Sequence, residues 1–155
     1  MNDIFASIFE WFGLFSVYSV DLGDHLRGLD ITCSDYVGSP LYTYIGWIVL
    51  GTVFGFYVLI YHVINNPRFN KRGHWWVAAT VLILINFLVA FGWAFKDLDT
   101  GNYCNKLHFS TADCVFFGLS VAFWSLLAFG VLTALPYPRR LAGYNMTETT
   151  LWKPK

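Results

Sequence analysis

Three long runs of apolar residues divide the chain into segments of membrane-spanning length. They cover residues 41–64, 75–95 and 114–135, and the first of them contains no Lys, Arg, Asp or Glu. A helix rises about 1.5 Å per residue, so each run can cross a hydrocarbon core of about 30 Å. The sequence therefore predicts an all-α integral membrane protein with three transmembrane helices.

A fourth apolar run, residues 4–20, permits two interpretations. Ser7, Glu10 and Gly13 recur every three residues, which places them on one helical face among aromatic side chains. The run is either a fourth spanning helix with Glu10 facing protein, or an amphipathic helix that lies in the interface. We favour the spanning helix, because the residues before 41 would otherwise have to cross the membrane without a signal sequence. An acid inside a bilayer is costly, which makes Glu10 a functional candidate.

Composition supports a single polytopic membrane domain over residues 1–155. The chain is 56% hydrophobic and only 13% charged, whereas a soluble domain has about 25% charged residues. Lys plus Arg and Asp plus Glu balance at 10 each, so no net field indicates a nucleic acid partner. The tail at residues 141–155 is too short to build a core of its own.

The charges are unevenly distributed between the two sides of the membrane. Basic residues lie between the first two long runs and directly after the last one, at positions Arg68, Lys71, Arg72, Arg139 and Arg140. Residues 21–40 form an acidic segment that Gly and Pro interrupt, and we expect an irregular loop there. Because basic loops are enriched on the cytoplasmic side, we expect a cytoplasmic C-terminus in a bacterial inner membrane or an equivalent energy-transducing membrane.

All three cysteines fall in or beside the loops of the opposite, acidic side. We expect a disulfide that joins Cys33 to Cys104 or Cys114, since that side is oxidising in bacteria. The layout of helices and outer cysteines resembles that of quinone-linked disulfide-forming membrane enzymes. That chemistry requires a Cys-x-x-Cys pair, which the sequence lacks, so we reject this identity.

Other candidate chemistry is sparse. His62 and His74 flank the basic connection and could hold a haem iron axially, although polar residues at helix ends explain them more simply. No metal-ligand spacing, phosphate-binding loop or nucleophile motif is present, so we expect no catalytic activity. The sequence requires no cofactor, and contact with haem or a pigment stays an open alternative.

Small and polar residues inside the long runs indicate helix packing. Asn86 is the single amide of the second run, and an intramembrane amide commonly hydrogen-bonds a neighbouring helix. Gly51 and Gly55 in the first run, with Gly118 and Ala122 in the last, form seams that allow close backbone approach. Packing within the chain, against other membrane subunits or against a second copy would each explain these seams.

These features favour a non-catalytic membrane subunit that scaffolds, stabilises or seals a larger complex, of the respiratory, photosynthetic or membrane-oxidase kind. Besides the lipid bilayer, its expected partners are other membrane subunits or copies of itself. One alternative is a homo-oligomeric pore, sensor or immunity-type protein. The other is a haem-binding electron-transfer subunit.

Overall fold

The structure is a computed structural model that describes residues 2–11, 17–28, 38–60, 72–104 and 106–134. Regular structure in these ranges is helical. The helices of the described part are α1 Asn2–Phe9, α2 Val20–Arg27, α3 Leu41–Val58, α4 Arg72–Thr100 and α5 Thr111–Ala134.

Three of these helices are long and apolar enough to cross a membrane. They are α3, α4 from Gly73 onward, and α5, with mean hydropathies of 1.5, 2.2 and 2.2. Large apolar side chains such as Trp47, Leu88 and Phe123 are exposed on their outer surfaces, as contact with lipid requires. The described residues therefore fit a multi-pass membrane protein.

The three long helices pack against one another as a bundle. The most extensive interface joins α4 to α5, and α3 packs against both. Gly118 on α5 lets α4 approach closely, since a Cβ at this position would lie 3.0 Å from the ring of Phe87. Ala122, one turn further along α5, is also buried.

A hydrogen-bonded clamp around Asn86 joins all three long helices. Asn86 is 1% exposed; its amide donates to Ser125 Oγ on α5 at 3.0 Å, and its carbonyl accepts from Thr52 Oγ1 on α3 at 2.9 Å. Ser125 also donates to the Val121 carbonyl of its own helix, and Thr52 shares its single hydroxyl hydrogen between Asn86 Oδ1 and the Val49 carbonyl. Because hydrocarbon offers no alternative partners, the clamp favours one arrangement of the bundle.

The predicted spanning helix at residues 4–20 is not supported, and we correct it. α1 has eight residues and a length of about 12 Å, less than half of a hydrocarbon core. The chain leaves the helix at Trp11, which has a left-handed φ of 56°, a conformation that costs a non-glycine residue about 1–2 kcal/mol. The Trp11 indole compensates by donating to Ser120 Oγ at 3.1 Å and by packing on Phe123.

α1 does not lie on the surface either, because it is wedged between α3 and α5. Its Phe9 ring lies 6.2 Å from the rings of both Tyr42 on α3 and Phe117 on α5, and those two rings lie 5.9 Å apart. Phe5, Ala6 and Phe9 are all buried. The interfacial placement of this segment stays a prediction from sequence.

The expectation of an irregular loop beginning at residue 21 is also wrong, because α2 occupies its first part. Ser19 caps the helix by accepting from Leu22 N at 3.3 Å, and Gly28 ends it in a left-handed conformation with φ 71°. A Ser before the first turn, Asp21 within it and a Gly after Arg27 are ordinary helix start and stop signals. These short-range signals outweighed the scattered glycines of the acidic segment.

We predict that Asn86→Leu lowers the free energy of unfolding by about 1 kcal/mol, within the range of about 0.6–1.7 measured for interhelical hydrogen bonds in bilayers. Thr80→Val is the matched control, since Thr80 bonds only the Trp76 carbonyl of its own helix and should change stability little. Reversible unfolding in mixed micelles provides the measurement. An Asn86→Leu protein as stable as the wild type would contradict the clamp.

Candidate functional site

Glu10 lies where α1, α2 and α3 meet, and both of its carboxylate oxygens are engaged. Oε1 accepts from Arg27 Nε at 3.1 Å and from the Tyr42 hydroxyl at 3.0 Å, while Oε2 pairs with Arg27 Nη2. Gly23 of α2 leaves room for this carboxylate, since a Cβ there would lie 3.2 Å from Oε1. Glu10 is thus neutralised by Arg27 and acts as an anchor within the fold.

A tyrosine pair extends this junction towards α2. The hydroxyls of Tyr18 and Tyr42 lie 2.7 Å apart. Burial raises the pKa of Tyr18, so its hydroxyl stays protonated and donates to Tyr42, which in turn donates to Glu10. The chain of donors ends at the Glu10 carboxylate, and the hydrogen bond that Arg27 donates to Glu10 raises the pKa of Arg27. The hydrogen bonds of this junction therefore stabilise the carboxylate of Glu10 and the guanidinium of Arg27.

A polar cleft of about 220 Å³ lies beside the same end of the bundle. Its lining includes His25 of α2 with Lys96 and Asp97 of α4. His25 Nε2 and Asp97 Oδ2 lie 3.1 Å apart, and the imidazole stacks on Phe109 with ring centroids 5.5 Å apart. His25 is almost fully buried, so the carboxylate both orients this imidazole and ties α2 to α4. Sequence reasoning missed this pair, because 72 positions separate the two residues.

Acidic residues in the first turns of α2 and α5 cap main-chain amides across the same end. Asp113 Oδ1 accepts from Ser19 N at 3.0 Å, and Asp21 Oδ2 accepts from His108 N at 3.0 Å. Asp113 Oδ2 also accepts from Ser110 N at 2.8 Å. These two acids therefore hold α2 against the segment that enters α5.

The structure describes two of the three cysteines, Cys104 and Cys114. Cys114 is buried at the start of α5 and carries a free thiol. Cys104 is buried in the loop before α5 and is not among the free thiols. Cys33 lies outside the described residues. Cys114 is therefore unpaired in this structure, and a disulfide of Cys33 stays a prediction from sequence.

The structure describes only one of the two histidines considered for haem. His74 is partly buried in the first turn of α4, and His62 lies outside the described residues. Within those residues, no three His, Cys, Asp or Glu side chains are grouped closely enough to hold a metal ion. The axial haem ligation therefore stays a prediction from sequence.

Most of the residues predicted to set orientation lie outside the described residues. Arg68, Lys71, Arg139 and Arg140 are outside the described residues, and only the main chain of Arg72 is described, at the start of α4. The assignment of sides to the membrane rests on the charge count alone.

The glycines of α3 differ in what they contact. Gly46 faces α1, and a Cβ there would overlap the ring of Phe5. Gly51 and Gly55 are exposed, and no heavy atom of the described residues lies within 4 Å of where their Cβ atoms would be. Bulky exposed side chains flank them, including Trp47 at 52% and Phe54 at 61% exposure. We call this surface, formed by Trp47, Gly51, Phe54 and Gly55, the glycine face.

We predict that Asp97→Ala lowers the free energy of unfolding by about 1–3 kcal/mol, because it leaves the buried His25 imidazole without its carboxylate partner. Asp99→Ala is the control: Asp99 is exposed two residues further along α4, and the change in helix propensity is the same. Both variants are compared by reversible unfolding. Equal stability of the two would show that the His25–Asp97 contact does not hold α2 in place.

Comparison of the chain with protein-family models, with curated proteins and with solved structures returns no match. No activity, ligand or partner is therefore carried over from a relative. The functional argument rests on the surfaces and contacts described above.

Proposed function

We propose that this chain is a non-catalytic membrane subunit that docks a transmembrane helix of a larger complex on the glycine face of α3. The observation that carries the proposal is the exposure of Gly51 and Gly55 between bulky neighbours. Glycines spaced four residues apart let a second helix approach closely, and such approach drives helix association in lipid through van der Waals packing.

The contrast within α3 strengthens this argument. Gly46 already serves close packing inside the chain, where it admits the ring of Phe5. Gly51 and Gly55 lie on the face that the described helices leave open, and each costs about 1 kcal/mol of helix propensity relative to alanine. Two such glycines four residues apart on one face favour contact with a second helix.

The homo-oligomeric alternative would use the same face against a second copy. A water-filled pore, however, requires polar groups that point into its lumen. Glu10 is held by Arg27 and Tyr42, and Asn86 is held by Thr52 and Ser125. These internal hydrogen bonds favour a packing role for the polar residues and support the subunit proposal over the pore.

The cellular setting is part of the proposal. The basic connection before α4 and the basic segment after α5 support a cytoplasmic C-terminus in an energy-transducing membrane, such as the bacterial inner membrane. A respiratory, photosynthetic or membrane-oxidase complex would be the host. On the opposite side, a disulfide between Cys33 and Cys104 would join the segment after α2 to the loop before α5; the burial of Cys104 and the free thiol of Cys114 support this pairing.

We predict that Gly51→Leu and Gly55→Leu release the chain from its complex, because a leucine side chain would hold the partner helix away. Gly92→Leu is the matched control: Gly92 is an exposed glycine of α4 that also has nothing within 4 Å of its Cβ position, but it lies on another helix. The measurement is gentle extraction from the native membrane, followed by native mass and identification of co-purifying chains.

Two results would contradict the subunit proposal. Recovery of the wild type only as a homo-oligomer would favour the alternative. Retention of the partner by the Gly51 and Gly55 variants as fully as by Gly92→Leu would show that the glycine face is not the docking surface.

A further inference from the structure

The described residues fill only half of a cleft between α3 and α5. α1 occupies the half near the start of α3, where its Phe5 packs against Gly46 and Trp47 and its Phe9 packs against Tyr42. Since α1 begins at Asn2, three residues before Phe5, the described helix covers little more of α3 than this half.

The other half of the cleft is an apolar groove of about 720 Å³. The side chains of Val49, Val53 and Phe54 form its α3 wall, and those of Trp124, Leu127 and Ala128 are on its α5 wall. Phe5 and Ile8 of α1 close one end. Every residue that lines the groove is apolar, and both walls belong to helices of spanning length.

The length of the groove limits what can occupy it. Its α3 wall runs from Gly46 to Phe54, which at about 1.5 Å per residue is about 12 Å. One leaflet of a hydrocarbon core is about 15 Å thick, and a spanning helix requires about 20 residues. A partner helix that crossed the membrane along this cleft would collide with α1, so the groove accepts a chain of one leaflet's depth.

We propose that the groove binds one acyl chain of a bilayer phospholipid, from the leaflet at the Val58 end of α3. The chain enters along the axis of the cleft and ends against Phe5 and Ile8. Protein walls on two sides and a closed end surround it more fully than the convex faces of α4 surround ordinary boundary lipid. The groove and the glycine face share Phe54, but Gly51 and Gly55 do not line the groove.

Photo-labelling of the wild type tests the site directly. The full chain is placed in nanodiscs that contain a phosphatidylglycerol with a diazirine in its acyl chain, and adducts are mapped by peptide mass spectrometry. We expect several-fold more labelling at Leu50 and Leu127, which line the groove, than at Leu84 and Leu88, which are exposed apolar residues of α4. Equal labelling of the groove and the α4 face overturns the proposal.

A filled groove provides the matched variant. Ala128→Trp places an indole between the two walls and should abolish both the enriched labelling and the phospholipid retained in native mass spectrometry. Leu88→Trp on the outer face of α4 is the control and should retain both. Retention by Ala128→Trp equal to that by Leu88→Trp also overturns the proposal, as does a native mass that shows a second protein chain in place of lipid.

Discussion

The carboxylate of Glu10 is the interaction on which the arrangement of the N-terminal half depends. An ionised group near a bilayer needs compensating partners, and losing one of them costs more than the pair contributes. Arg27 supplies the opposite charge and Tyr42 supplies a further donor. Because these partners come from α2 and α3, the charge can be neutralised only when α1, α2 and α3 meet at one point. That requirement holds the end of α1 against α2 and α3.

The position of α1 then determines which surfaces of the bundle are open. The wedge seals one half of the cleft between α3 and α5 and leaves the other half as the apolar groove. Gly46 packs against Phe5 inside the chain, whereas Gly51 and Gly55 face outward. α3 therefore presents an internal packing site at Gly46, one wall of the apolar groove, and the glycine face. Further along the bundle, the Asn86 clamp holds α3, α4 and α5 together without any contribution from α1.

The long helices could be predicted from the sequence because their signal is local. A run free of charged residues fixes the existence of α3 through its composition, and Asn86 is conspicuous as the one amide in an uncharged run. Its partners, Thr52 and Ser125, lie on other helices, and no pattern along α4 reveals them. The prediction of a spanning helix at residues 4–20 failed for a related reason. The run is apolar and long enough to span, but the pairing of Glu10 with Arg27 is a tertiary contact that the local pattern does not reveal.

At residues 20–27 the sequence carries competing signals for a helix and for a loop. The cap at Ser19 and the glycine at position 28 mark α2, yet the surrounding Gly and Asp residues favoured a loop. His25 falls within the range for which a loop was predicted, whereas it lies in α2 and is buried against Asp97. The glycine seams could be predicted as packing surfaces, but which seams are filled within the chain depends on where α1 lies. Gly46 and Gly51 are alike in sequence context and differ only in that neighbour.

The most direct test of this account is a double-mutant cycle on Glu10→Gln and Arg27→Gln, measured as free energies of unfolding in mixed micelles. The two side chains are partly exposed, so solvent screening limits their coupling to about 0.5–1 kcal/mol. The account predicts that each single variant is less stable than the wild type and that the double variant loses less than the two single losses combined. Strictly additive losses would contradict it, because the Glu10 carboxylate would then not depend on Arg27.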